Sequence, residues 1–353
     1  MLKQFGSAYL ILGTCIAAGM LGLPIVTAQY HFTLTVILLV SSWLIMTTGA
    51  WCLLQVNMTM PARANFLSMS EATLGKTAKN ITWFIYLMLL YSILCAYLSA
   101  SGDVLQSLMQ HIELNVPRWL ATIMAAVILG SFVLRGIHTV DLTNRFLMSI
   151  KFVICFLLIL SVAPFVHESK LSTGNWQLSA STWLVVITAF GYANILPSIR
   201  DYLNNDRKKI VRIFTISSSI PLILYFAWII VIQGALSRHA LIALNNSPNT
   251  NSLLISNIAS LTHNTMLHSV SLLFISICSV TGFLSVSTSL IDVWADGLQN
   301  KRRVLIALLA FVPPIVVVIF DPSIFVHALA YAGMCCILMF VVLPVMMYSK
   351  KFG

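Results

Sequence analysis

Apolar residues fill this chain in runs of roughly 20 or more, cut by short polar breaks and without sustained alternation of apolar and polar positions. Runs of that length cross a bilayer core as helices, which satisfy their own backbone groups where no water is at hand. A β-barrel would need alternating segments of about 10 residues, and none is seen. The polar breaks predict about ten spans, near 5–28, 32–57, 81–110, 117–134, 144–165, 178–200, 211–236, 266–294, 303–320 and 323–348. Neighbouring spans are often joined by a few residues, as in "YHF" (30–32) and "DPS" (321–323), whereas the connections 58–80 and 237–265 are longer. The pattern reads as one all-α, polytopic membrane domain over 1–353.

Composition excludes a soluble alternative. The 353 residues are 59% hydrophobic and 8% charged, against about 25% charged in soluble domains. The start, "MLKQFGSAYL", loosely resembles a signal peptide but lacks a convincing cleavage site, so it is kept as part of the first helix. The seven cysteines lie in or beside apolar runs, form no C-x-x-C or His/Cys spacing, and read as small packing residues. No H-E-x-x-H or Walker glycine loop occurs. No metal, cofactor or catalytic residue is therefore assigned. A membrane enzyme is disfavoured too, because Asp103 is the one carboxylate well inside a span.

The net charge of +10 could point to nucleic acid, but its distribution points to topology. With the N-terminus placed in the cytoplasm, 17 of the 20 Lys and Arg residues fall at cytoplasmic ends, leaving Arg118, Lys170 and Arg238 outside. The positive-inside rule then sets an even number of spans with both termini inside. "RDYLNNDRKKIVR" and "KRR" are topology signals on this reading, and no nucleic-acid or obligate protein partner is expected. The partners are the bilayer and a small solute.

The first span contains "GTCIAAGMLGLPIVTA", residues 13–28, with Gly13, Gly19, Gly22 and Pro24. Glycine weakens a helix, and Pro24 cannot donate to the carbonyl of Met20. Close helix packing through small residues is the alternative to a true break. The sixth span repeats the pattern, with Gly191, Asn194 and Pro197 inside "STWLVVITAFGYANILPSIRDY". Interrupted helices five apart suggest inverted halves, about 1–166 and 177–348, each opening on a discontinuous helix. Half-helix N-termini suit a carboxylate, and opposing carbonyl ends suit an ammonium group. A zwitterionic amino acid matches both.

At these residues the chain resembles the hydroxy and aromatic amino acid permeases, the tyrosine and tryptophan permease group of the amino acid–polyamine–organocation superfamily. "GTCIAAGMLGLP" is similar to the family's first-helix motif, "AFGYANILPSI" to its sixth, "AYLSASG" to its third and "TGFLSVSTSLIDVWAD" to its eighth. The resemblance covers nearly the whole chain and implies a LeuT-type fold in a bacterial inner membrane. Three departures stand out. Members usually have eleven helices where ten are read here, Ala17 replaces a glycine, and Ala193 stands at the sixth-helix histidine position, followed by Asn194.

The resemblance also implies roles. The substrate carboxylate would meet the backbone around Ala17, Ala18 and Gly19, and the ammonium the carbonyls near Thr14 and from Phe190 through Gly191 to Ala193. Tyr97 would contact the substrate, while Phe190, Tyr192 and Asn194 would shape its side-chain pocket. Asp103 reads as a surface group near the outer end of its span. Lys151, about two turns into a helix starting near Asn144, either snorkels to the surface or fills the place of a sodium ion in sodium-coupled relatives. Buried, it could release and take up a proton. Thr281 keeps a hydroxyl at the matching sodium-site position, and Gly282 replaces the usual serine, which favours H+ over Na+ as the coupling ion. The connection 237–265 is either an external gate or a solvated linker.

The expected function is import of an aromatic or similar neutral amino acid by proton symport. Sodium-coupled or exchange transport of another small neutral amino acid, and a non-transporting sensor derived from a permease, stay open as alternatives.

Overall fold

Apolar runs become helices and polar breaks become turns in the computed structural model, which describes residues 12–13, 15–16, 18–61, 64–135, 137–203, 205–262, 265–298 and 303–353. The first half holds α1 (Ala18–Thr27), α2 (Phe32–Met58), α3 (Phe66–Leu74), α4 (Lys76–His111), α5 (Arg118–Leu134), α6 (Ile137–Val162) and the short α7 (Glu168–Leu171). The second holds α8 (Ala180–Thr188), α9 (Leu196–Tyr202), α10 (Arg207–Ala235), α11 (Arg238–Ala243), α12 (Thr250–Thr262), α13 (Thr265–Leu298), α14 (Arg303–Phe320), α15 (Phe325–Ile337) and α16 (Leu343–Phe352). A π-helical turn, Leu338–Val342, joins the last two.

Among the described residues, seven helical stretches are long and apolar enough to cross a membrane. They are Phe32–Met58, Lys76–His111, Leu142–Phe165, Ala180–Arg200, Arg207–Ala235, Met266–Ala295 and Phe325–Phe352. Arg118–Leu134 and Val304–Phe320 are apolar but shorter. Of the expected first span, α1 is the described C-terminal part.

Helix ends depart from the polar breaks in an instructive way. The third span begins at Lys76 and the fifth at Ile137, both earlier than their apolar runs suggest. A helix needs only backbone pairing to continue, so a polar turn can precede the apolar stretch. Lys151 therefore lies about four turns into α6 rather than about two. The long connections are not plain linkers either. The first contains α3, started by Asn65, whose side chain accepts from the Ser68 N–H at 2.9 Å. The second folds into α11 and α12, which bury Leu241, Leu254, Ile255 and Ile258.

The interruption expected in the sixth span is present. α8 stops at Thr188, Tyr192–Ile195 forms a 3-10 turn, and α9 resumes at Leu196. α1 packs against α8 and α10, α4 against α5, α13 and α15, and α13 against α6. Met20, Leu21, Phe190, Tyr192, Tyr225, Trp228, Phe274 and Phe283 are buried where these helices meet.

Candidate functional site

The two interrupted segments lie against each other. A methyl group added at Gly19 would sit 2.5 Å from Cβ of Ala189 and 3.3 Å from the Tyr225 hydroxyl, so no side chain fits there without movement. The hydroxyl of Tyr225 reaches the carbonyl of Cys15 at 2.6 Å and that of Ala189 at 2.9 Å. Its ring meets Phe190 edge-on, with centroids 5.3 Å apart. One side chain on α10 thus bridges the backbone just before α1 and the backbone just after α8.

Tyr225 is the first of three polar side chains on that face of α10. Trp228 donates its indole N–H to the carbonyl of Met20 at 2.8 Å. Gln233 donates to the carbonyl of Pro24 at 3.1 Å and to the Thr27 hydroxyl at 2.8 Å. Sequence reasoning assigns none of these a role. A signal is there: polar tips at 225, 228 and 233 in an apolar run share one helical face and need buried partners.

The sequence-predicted site residues fall into distinct groups. Thr14 and Ala17 lie outside the described residues. Ala18 opens α1 and Gly19 follows it, so both contribute to a first turn whose N–H groups have no acceptor within the helix. Phe190, Tyr192 and Ala193 are buried and Gly191 is half-buried, all in the interruption between α8 and α9. The Tyr192 hydroxyl pairs with Thr47 of α2 at 2.6 Å. Asn194 is exposed, so the buried side chains of the 3-10 turn do not include it. Tyr97 is buried on α4, and its ring occupies the space that a side chain at Gly282 would need.

Lys151 and Thr281 are brought together. The lysine is fully buried, and its Nζ donates to the Thr281 hydroxyl at 3.3 Å. That hydroxyl donates in turn to the Ile277 carbonyl at 2.7 Å, leaving its lone pairs to the ammonium. Snorkelling is ruled out by this burial. Cys15, Cys155 and Cys278 are the titratable groups around the lysine, and Cys155 also contacts the Met20 sulfur at 3.9 Å. No group of three or more His, Cys, Asp or Glu side chains among the described residues could hold a metal ion.

Asp103 departs from its surface assignment. It is 2% exposed and accepts from the backbone N–H groups of Asn251 and Ser252 at 2.8 and 3.0 Å and from the Ser252 hydroxyl at 2.6 Å. These N–H groups belong to the first turn of α12, whose unpaired donors favour an anion. Arg118 lies 3.8 Å from the same carboxylate and donates to the Ser99 carbonyl at 2.6 Å. A neighbouring helix, rather than water, completes this acid.

A sequence profile of the tryptophan/tyrosine permease family matches residues 1–351. The chain belongs to that family. As a permease it is a transport protein, not an enzyme. It is 30% identical to the tyrosine-specific transport system 1 of Haemophilus influenzae, over 99% of this chain and 88% of the relative. It is 26% identical to a tryptophan-specific transport protein of Shigella flexneri, over 99% and 87%. Glutamine transporter 2 of Aliivibrio fischeri is 24% identical over 98% and 88%. The permease also shares its fold with a mutant manganese transporter of Eremococcus coleocola, at a TM-score of 0.66 and 15% identity, over 96% of this chain and 77% of that one. A nucleobase-cation-symport-1 family transporter in a closed conformation superposes with a TM-score of 0.64 at 11% identity, covering 96% and 78%. These neighbours are transporters of the LeuT fold type, and at such identities the likeness carries the fold alone.

Proposed function

We propose that this permease imports an aromatic or similarly sized neutral amino acid together with a proton, by alternating access across a bacterial cytoplasmic membrane. Its chain runs as two inverted five-helix halves, about 1–166 and 177–348, with both termini inside and the 237–265 connection outside as a gate. The bilayer and the amino acid are its partners, and no cofactor takes part. The substrate carboxylate lies at the backbone of Ala17, Ala18 and Gly19. Its ammonium lies at carbonyls near Thr14 and along Phe190, Gly191 and Ala193. Tyr97, Tyr192 and Asn194 bound the space for its side chain.

The observation that carries the coupling reading is the fully buried Lys151 beside Thr281, between α6 and α13 and next to Cys15 of the first helix. An ionisable group at membrane depth is a functional candidate by default. In each cycle the Lys151 ammonium releases a proton toward the cytoplasm and is reprotonated from outside. Gly282, whose place is filled by the Tyr97 ring, leaves no side-chain oxygen beside Thr281 for sodium. Relatives named for tyrosine and tryptophan support the aromatic substrate class, and one named for glutamine adds a competitor to be tested.

The test is uptake of labelled tyrosine, tryptophan, phenylalanine, glutamine and serine into proteoliposomes, with proton and sodium gradients imposed separately. Accumulation driven by external acid, and lost in Lys151→Ala, is the expected result. Accumulation driven by sodium alone would replace the coupling ion. Binding without accumulation under either gradient would make the chain a sensor.

A further inference from the structure

The carbonyls of Cys15 and Ala189 come from the two interrupted segments, and both point at one atom, the Tyr225 hydroxyl, at 2.6 and 2.9 Å. A phenol has a single proton to donate. Two buried carbonyls therefore share one hydrogen, and neither is fully satisfied while Tyr225 is their partner. An ammonium group has three donors and carries charge, so it could satisfy both with stronger, charge-assisted bonds. The phenol is also held from the side, fully buried and with its ring edge-on to Phe190.

We infer that the Tyr225 hydroxyl is a built-in competitor for the substrate's ammonium group: it closes the two broken helices onto each other when the site is empty and yields Cys15 and Ala189 to an incoming primary amine. This inference rests on the reading of an amino-acid site between those helices, and it names the group that the site must expel before it fills. Selectivity follows from the same geometry. A ligand gains entry only if its nitrogen offers at least two N–H donors, one for each carbonyl, which excludes amines with a fully substituted nitrogen. The affinity measured for any substrate is the difference between its bonds to the two carbonyls and those of the phenol.

Tyr225→Phe keeps the ring and its contact with Phe190 and removes only the competing donor. Equilibrium binding to the purified, detergent-solubilised permease would be measured for tyrosine and tryptophan, and for the same two amino acids with a trimethylated nitrogen. The expected result is an affinity for the free amino acids about fivefold tighter in Tyr225→Phe, in line with the modest net worth of one hydrogen bond, with the trimethylated forms remaining unbound by either protein. Unchanged or weaker binding by the variant, while the unaltered protein binds, would overturn the role of Tyr225 alone. Equal tightening for amine and trimethylated forms would mean general loosening and would overturn it as well. Failure of the unaltered protein to bind any free amino acid, glutamine and serine included, would overturn the amino-acid reading and this inference with it.

Discussion

The indole N–H of Trp228 donates to the carbonyl of Met20, the group that Pro24, four residues later, leaves without its helical donor. The defect and its repair lie on different helices, α1 and α10. A proline inside a buried helix normally strands a carbonyl, and at membrane depth water cannot rescue it. Here the repair comes from a tryptophan 208 residues away in sequence.

Trp228→Phe keeps most of the buried ring and removes the donor. Leaving the Met20 carbonyl unpaired is expected to cost about 1–3 kcal/mol. Thermal unfolding in detergent should shift to lower temperature, and Pro24→Ala in the same background should recover part of the loss by restoring a backbone donor. A double variant no better than Trp228→Phe would sever the link between the two residues.

Lys151→Met preserves length and removes charge. If Lys151 carries the proton, this variant should retain substrate binding while losing accumulation against a gradient. Thr281→Val, which deletes the oxygen accepting from Nζ, should weaken coupling more than binding. Measuring binding and proton-driven uptake on the same preparations separates the two. Loss of binding in both variants would assign the pair to structure.

Asp103 ties α12 to α4 through three hydrogen bonds to Asn251 and Ser252. Asp103→Asn lowers the acceptor capacity and leaves Arg118 without an anion in a largely buried setting. The first turn of α12 should open more readily, with hydrogen exchange at residues 250–256 faster by roughly tenfold, a change of about 1.4 kcal/mol. Exchange at α2 should stay as it was. Equal acceleration everywhere would indicate global destabilisation rather than release of this connection.

Gly282 and Tyr97 are coupled by shape. Gly282→Ala would drive a methyl group into the Tyr97 ring, at a cost of about 1–3 kcal/mol from overpacking. Uptake should fall sharply. Tyr97→Ala alone should also impair uptake, but the double variant should be more stable than the two single changes predict, because the clash disappears. Additive stability losses would place the two side chains out of contact.

Much of the architecture is legible in the residues. The membrane class, the positions of most helices and the interruption of the sixth span follow from apolar run length and from glycine and proline, because the bilayer leaves the backbone few alternatives. The pairing of Lys151 with Thr281 is anticipated by the family resemblance. The depth of Lys151 is not, since a polar first turn on α6 looks like a connection in sequence. Asp103 likewise reads as a surface acid because the N–H groups that complete it belong to a segment 148 residues away, one that itself looks like a linker.

The sequence by itself determined that this chain crosses a membrane as helices and that two of those helices are weakened in their middles. Local composition is enough for that, because burial in lipid and loss of helical pairing act within a turn or two. The tertiary structure decided which groups take up the freed carbonyls. Met20, Pro24, Cys15 and Ala189 are answered by Trp228, Gln233 and Tyr225, all from one face of α10. A hydrogen bond acts over about 3 Å of space and is indifferent to separation along the chain, so only the packing of α10 against α1 and α8 could select those partners.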